Sequence, residues 1–132
     1  MSKAVSAVRY LLANNASLIA QVPATRIMAG ILPQGTTLPA ISVTHISTTY
    51  GQQLSGQSSW NESRVQVTVI ASTYVQQATV MLLVKAAVPR NRGTINGVKV
   101  ECILREFDGP DFTDADAGFY MQSIDYKVLF NE

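Results

Sequence analysis

Between Glu62 and Pro89 the spacing of apolar positions changes once, from every second residue to a helical repeat. Val65, Val67, Val69 and Ala71 alternate with Arg64, Gln66, Thr68 and Ser72. That period of two marks a half-buried strand, because successive strand side chains point to opposite faces. Thr73, followed three residues on by Gln76, has the form of a capping box and predicts a helix from Tyr74 that Pro89 ends. Within it Val75, Ala78, Leu82 and Ala86 form one stripe, while Val80, Val84, Ala87 and Val88 form a second apolar side. Gln76, Gln77 and Lys85 are the main polar residues left. A helix apolar on two sides is buried twice, and in a chain of 132 residues the second burial is expected against another subunit. Val80, Val84 and Val88 are the residues expected at that contact.

Ahead of this unit, Ser2 can cap a helix from Lys3 to Ala13 with Val5, Val8, Leu11 and Leu12 at helical spacing. The residues Ala16 to Val22 allow one further turn, closed by Pro23, and Arg26-Ile27-Met28 starts an extended piece. Gly30, Pro33, Gly35 and Pro39 punctuate a loop before the β-branched run Ala40 to Tyr50, a strand with Ile41 and Val43 on one face and Ile46 on the other. GQQLSGQSSW, from Gly51 to Trp60, shows no period and is expected to be a mobile hairpin tip. After the central helix, Asn96-Gly97 is a strong hairpin signal before a strand from Val98 to Arg105, with Val98, Val100, Cys102 and Leu104 expected on its inner face. An acidic, turn-rich connection leads to a last strand, Phe119 to Phe130, on which Tyr120, Ile124, Tyr126, Val128 and Phe130 share a face. The order predicts an α+β fold, a mainly antiparallel four- to five-stranded sheet with two helices packed on one face, in a single domain spanning residues 1–132.

Composition narrows the chemistry. The chain is 47% hydrophobic and only 14% charged, lean against the usual quarter or so, so part of its surface is expected to be covered. A net charge of +1 supplies no field that would gather nucleic acid or an anionic membrane. No apolar run approaches the roughly 18 residues needed to cross a bilayer, and the N-terminus lacks a signal-peptide core, so synthesis in the cytosol without membrane contact is expected. A single cysteine, Cys102, excludes an internal disulfide and is expected to be a buried thiol. His45 is the sole histidine, which excludes a multi-histidine metal site. Asp114, Asp116 and Gly118 miss the spacing of a calcium loop, so Asp108, Asp111, Asp114 and Asp116 are expected to form a solvated acidic loop. Arg90 and Arg92 suit a helix C-terminus. No catalytic, cofactor-binding or metal-binding residue is assigned.

Five segments carry a likeness that no one of them would. They are RYLLANNASLIAQV, LPQGTTLPAISVTHIS, RVQVTVIASTYVQQA, GTINGVKVECILRE and GFYMQSIDYKVLF, and they span nearly the whole chain. Together the sequence resembles the tail-completion or tail-terminator (tail-to-head joining) family of long-tailed bacteriophages. The resemblance implies a structural virion protein of the neck, a homo-oligomer that is usually a hexameric ring, at the head-proximal end of the tail. There it would end tube growth and contact the tail-tube protein and the head-tail connector protein, with DNA only passing through the lumen. On that reading Gln52, Gln53, Leu54 and Trp60 mark the first docking loop, and Asp108, Asp111, Asp114 and Asp116 the second. Two alternatives stay open: a head-completion or connector ring protein, and a small ligand-binding module using His45, Cys102 or the acidic loop.

Overall fold

The computed structural model describes residues 2–30, 32–33, 35–53, 56–89, 93–114 and 116–131; the side chains of 52–59 lie outside the description. Helix α1 (Lys3–Ala13) begins where expected, with the Val5 N–H donating to Ser2 Oγ, and it buries Ala4, Val5, Ala7, Val8 and Leu12. A four-residue helix α2 (Ala16–Ile19) follows, capped by Asn15, whose Oδ1 accepts the Leu18 N–H at 3.0 Å. Then come β1 (Ile27–Ala29), β2 (Ala40–Gln53), β3 (Gly56–Ala71) and helix α3 (Tyr74–Ala87). The chain ends with β4 (Gly93–Ile95), β5 (Val98–Asp108), β6 (Phe112–Asp114) and β7 (Phe119–Asn131).

All strands join one seven-stranded sheet in the order β1-β2-β3-β7-β5-β4, with β6 added to β7. The pairings from β2 to β4 are antiparallel, while β1 runs parallel to β2. The sheet is thus mixed and wider than the four to five strands expected, and the described residues form three α-helices instead of two. β1 is the extended piece expected at Arg26-Ile27-Met28, and the strands beyond that count, β4 and β6, are three residues each, too short to show a period of two. At the β4–β5 turn, Asn96 (φ 49) and Gly97 (φ 79) both occupy the left-handed region that a two-residue hairpin needs.

The inner face of the sheet carries Ile41, Val43, Val65, Val67, Val69, Ile124, Tyr126 and Val128, all fully buried. Helices α1 and α3 contact the sheet and each other around this core. Each such side chain contributes about 1.5–3 kcal/mol relative to staying in water.

Two expectations about strands are corrected. The described residues between Gly51 and Trp60 are strand and not loop: β2 and β3 stay paired there, with Tyr50 opposite Asn61, Gln52 opposite Gln57 and Gln53 opposite Gly56. The run of glutamine, serine and glycine there has no apolar alternation that would have revealed it. In β5 the register shifts between Val100 and Cys102, so Ile103 takes the next inner position opposite Val128, while Cys102 and Leu104 turn to the outer face. A bulge of this kind reverses every assignment downstream of it. Cys102 is accordingly half-buried and not a core thiol.

Candidate functional site

Helix α3 starts at its cap, where Thr73 Oγ1 accepts the Gln76 N–H at 3.1 Å and Gln76 Oε1 reaches back to the Ser72 N–H at 3.1 Å. From there its two apolar stripes part. Val80, Met81, Val84, Ala87 and Val88 lie in the core against the sheet, with Val80, Val84 and Val88 at most 1% exposed. They are therefore corrected as subunit contacts, since a neighbour cannot reach them in the folded chain. The other stripe faces outward, with Val75 74% and Leu82 68% exposed and Ala78 and Ala86 beside them. No charge interrupts it, because Lys85 Nζ turns aside to Asp108 Oδ2 at 2.7 Å. Periodicity reported two apolar sides correctly and could not report which one the sheet covers.

The acidic segment is held rather than free. Beyond the Lys85 pair of Asp108, Asp111 accepts the Tyr74 hydroxyl at 2.6 Å and the Gln77 amide at 3.3 Å. Gln77 is a buried polar residue in the inward stripe, and the same amide also donates to Gln122 at 3.2 Å. The hydrogen bond to Asp111, then the charge of that carboxylate, raise the Tyr74 phenol above its ordinary value. Asp114 Oδ1 accepts the Ala117 N–H, and only Asp116 of the four carboxylates is left exposed with no such role described. The expected acidic loop is solvent-exposed at Asp108, Asp111 and Asp116, but Phe112 to Asp114 form a short strand, β6, and Asp111 ties the segment to the start of α3.

On the hairpin, Ile46, Tyr50 and Trp60 are 49%, 50% and 38% exposed. Trp60 pairs through its backbone with Asn131 at the end of β7, so it stands at the base of the protruding part. Leu54 and the side chains of Gln52 and Gln53 lie outside the described residues. His45 is exposed on β2, its Nε2 2.6 Å from Thr48 Oγ1, which is 2.6 Å from Ser63 Oγ. Among the described residues no group of three or more metal-ligating side chains comes together, and no helix is long and apolar enough to cross a membrane.

Sequence reasoning gave the polar face of β3 and missed the partners it meets across the strands. Asp125 is only 6% exposed there and accepts from Arg64 Nε at 2.9 Å and from the Gln66 amide at 3.1 Å. Beside it the Thr68 and Ser123 hydroxyls share a hydrogen bond of 2.8 Å. The signal was the register of β3 on β7, which sets Gln66 opposite Asp125 and Thr68 opposite Ser123. A single strand read alone cannot display a cross-strand pair.

What the described residues offer is contact surface along α3 and the hairpin. The model of the tail completion protein gp17 family matches residues 6–131. The chain belongs to this family. The match runs from inside α1 to the last residue of β7, so the helix stripes, the hairpin and both sheet edges all fall within it. Among solved structures, a chain of the virion of a native gene transfer agent (GTA) particle shares the fold of this tail completion protein, with a TM-score of 0.79 at 12% identity over 97% of this chain and 94% of that one. Curated protein sequences give no match.

Proposed function

We propose that this tail completion protein is a single-domain ring subunit at the head-proximal end of a long phage tail. The ring, hexameric in this reading, ends growth of the tube and joins the tail to the head connector. Its partners are further copies of itself, the tail-tube protein and the connector protein, while DNA only passes through its lumen. The protein works by shape and contact rather than by catalysis, is made in the host cytoplasm and ends in the virion. The family match over residues 6–131 carries the reading. The uncharged outward stripe of α3 and the exposed aromatics of the hairpin support it, because a subunit with neighbours on several sides needs apolar surface that a monomer would hide.

Electron microscopy of the purified protein, alone and mixed with tail tubes, tests it. Rings seated at one end of tubes of uniform length are the expected result. Tubes that carry no ring and lengthen regardless of the protein overturn it.

A further inference from the structure

We infer that in the free protein two copies pair antiparallel through the outward stripe of α3, about a two-fold axis that crosses the helix at Val80. The inference goes beyond the ring reading and does not depend on it, because ring neighbours meet head to tail whereas a two-fold pair meets like with like.

The stripe is open surface. Val75 and Leu82 are 74% and 68% exposed, and Tyr74, Ala78, Thr79 and Ala86 are exposed around them. Steps of three and four residues line Val75, Ala78, Leu82 and Ala86 along one side of the helix. Lys85 is the one charged residue of α3, and it is drawn off the stripe by Asp108.

A second copy fits this surface in size and in charge. Large and small side chains alternate along the stripe, and the pair Ala78 and Leu82, like the pair Val75 and Ala86, is centred on Val80 to within half a residue. When a second α3 is laid antiparallel across that point, each Leu82 meets the other copy's Ala78, and each Val75 meets the other copy's Ala86. Projecting side chains then enter gaps, and the helix axes can close to about 8–10 Å. A parallel pair would instead set Leu82 on Leu82 and leave the alanines facing each other.

The charges agree with that direction. Tyr74 and Lys85 lie on one flank of the stripe, where the segment from Asp108 to Asp111 runs beside the helix. At the start of α3 stands the exposed Asp111, whose described donors, the Tyr74 hydroxyl and the Gln77 amide, are both neutral and leave its charge in place. At the other end Lys85 and Asp108 offset each other, and the exposed Arg105 guanidinium donates to the Lys85 carbonyl at 3.3 Å. A two-fold antiparallel pair keeps each flank against the same flank of its partner, so the acidic end of one helix lies beside the basic end of the other, twice over. One face of a fourteen-residue helix gives less than the roughly 800 Å² per partner of a standard interface, so the pair should form and part with concentration. It covers the apolar stripe in the free protein and releases it where another neighbour competes.

Sedimentation equilibrium of the full chain, with reductant present to keep Cys102 a thiol, tests the pairing. The wild type should be a concentration-dependent dimer. Leu82→Ala empties both gaps and Ala78→Leu sets leucine against leucine, so each should raise the dissociation constant at least about tenfold. The double substitution A78L/L82A exchanges projection and gap without changing composition, and the antiparallel register lets it bring the constant back to within about threefold of the wild type. Both sites are exposed and both residue types are good helix formers, so the urea midpoints of the four chains should agree. A wild type that stays a single copy at every concentration overturns the pairing, and so does a double variant as weak as the weaker single one. Loss of tube-end binding by Leu82→Ala with no dimer in the wild type also overturns it and gives the stripe to the tube. Rings at tube ends with no dimer in solution overturn the pair and leave the ring reading standing. A dimer restored by the double substitution, with no rings on tubes, upholds the pair and counts against the ring reading.

Discussion

The two apolar stripes of α3 are built from the same residue types and meet opposite surroundings. Val80, Val84 and Val88 are sealed against β3 and β7, while Val75 and Leu82 stand in solvent a third of a turn or more away. Burial of one stripe follows from the chain's own sheet, whose inner face presents Val67, Val69 and Ile124 to it. Nothing in the chain covers the other stripe among the described residues. Apolar character therefore carries two separate meanings within fourteen residues of helix, folding on one side and association on the other.

The largest effect expected from breaking this contrast comes from a charge on each side. Val84→Lys places an unpaired ammonium in the core and should destabilise the fold by about 3–5 kcal/mol, read as a lowered urea midpoint in circular dichroism. Leu82→Lys should shift stability by no more than about 0.5 kcal/mol, as for other surface changes. On the ring reading it should still weaken assembly or docking, seen as slower-sedimenting species or bare tube ends. If Val84→Lys instead stays as stable as the wild type and loses only assembly, the two sides have been exchanged.

A smaller effect is expected where the sides are tied together. Asp111 holds Gln77 from the inward stripe and Tyr74 from the outer end of the helix. Asp111→Ala leaves the buried Gln77 amide with Gln122 alone, and a loss of about 1–2 kcal/mol is expected for one buried partner removed. Protease nicking between Asp108 and Asp114 should rise at the same time, because β6 loses its strap; an unchanged nicking rate would show that the β6–β7 pairing suffices. Thr73→Ala removes the cap from which both stripes start and should cost about 1 kcal/mol.

Much of this molecule was legible in its sequence, and the failures have a common cause. Helix α1, the cap and length of α3, the β4–β5 turn and the alternating half of β3 all follow from rules that act within a few residues. Three features do not. The bulge at Val100 and Cys102 exchanges the faces of β5 without any local mark, the hairpin past Tyr50 has no apolar face to signal it, and the partner of each α3 stripe depends on how the sheet is ordered. The hydrogen bonds of Asp111 and Asp125 were likewise invisible, because Tyr74 and Gln66, two of their donors, lie far away in the chain. The family match over residues 6–131 supplied the functional frame that these residues alone do not.

At neutral pH the mildest change is also the one that asks how well the inward side is sealed. Tyr126 is fully buried on the inner face, and its hydroxyl has no hydrogen-bond partner among the described residues. Burial, only partly offset by the nearby Arg105 charge, pushes its phenol from 10.0 up to about 12. An acid whose folded value is raised keeps its proton in the native state after the unfolded chain has lost it. Its contribution to stability is thus complete below pH 10 and is lost as the pH rises from there toward about 12. Over that window the fold should weaken by about 1.4 kcal/mol for each pH unit through this residue. Tyr126→Phe keeps the ring and removes the group that ionises, so its stability at pH 7 should match the wild type within about 1 kcal/mol, with no buried partner orphaned by the change. Above pH 10 its urea midpoint should fall less steeply than that of the wild type. Tyr74, raised by Asp111, is present in both chains and cancels in the difference. Parallel midpoints from pH 9 to 12 would mean that water reaches the Tyr126 hydroxyl, and that the side of the sheet facing α3 is less closed than its buried valines imply.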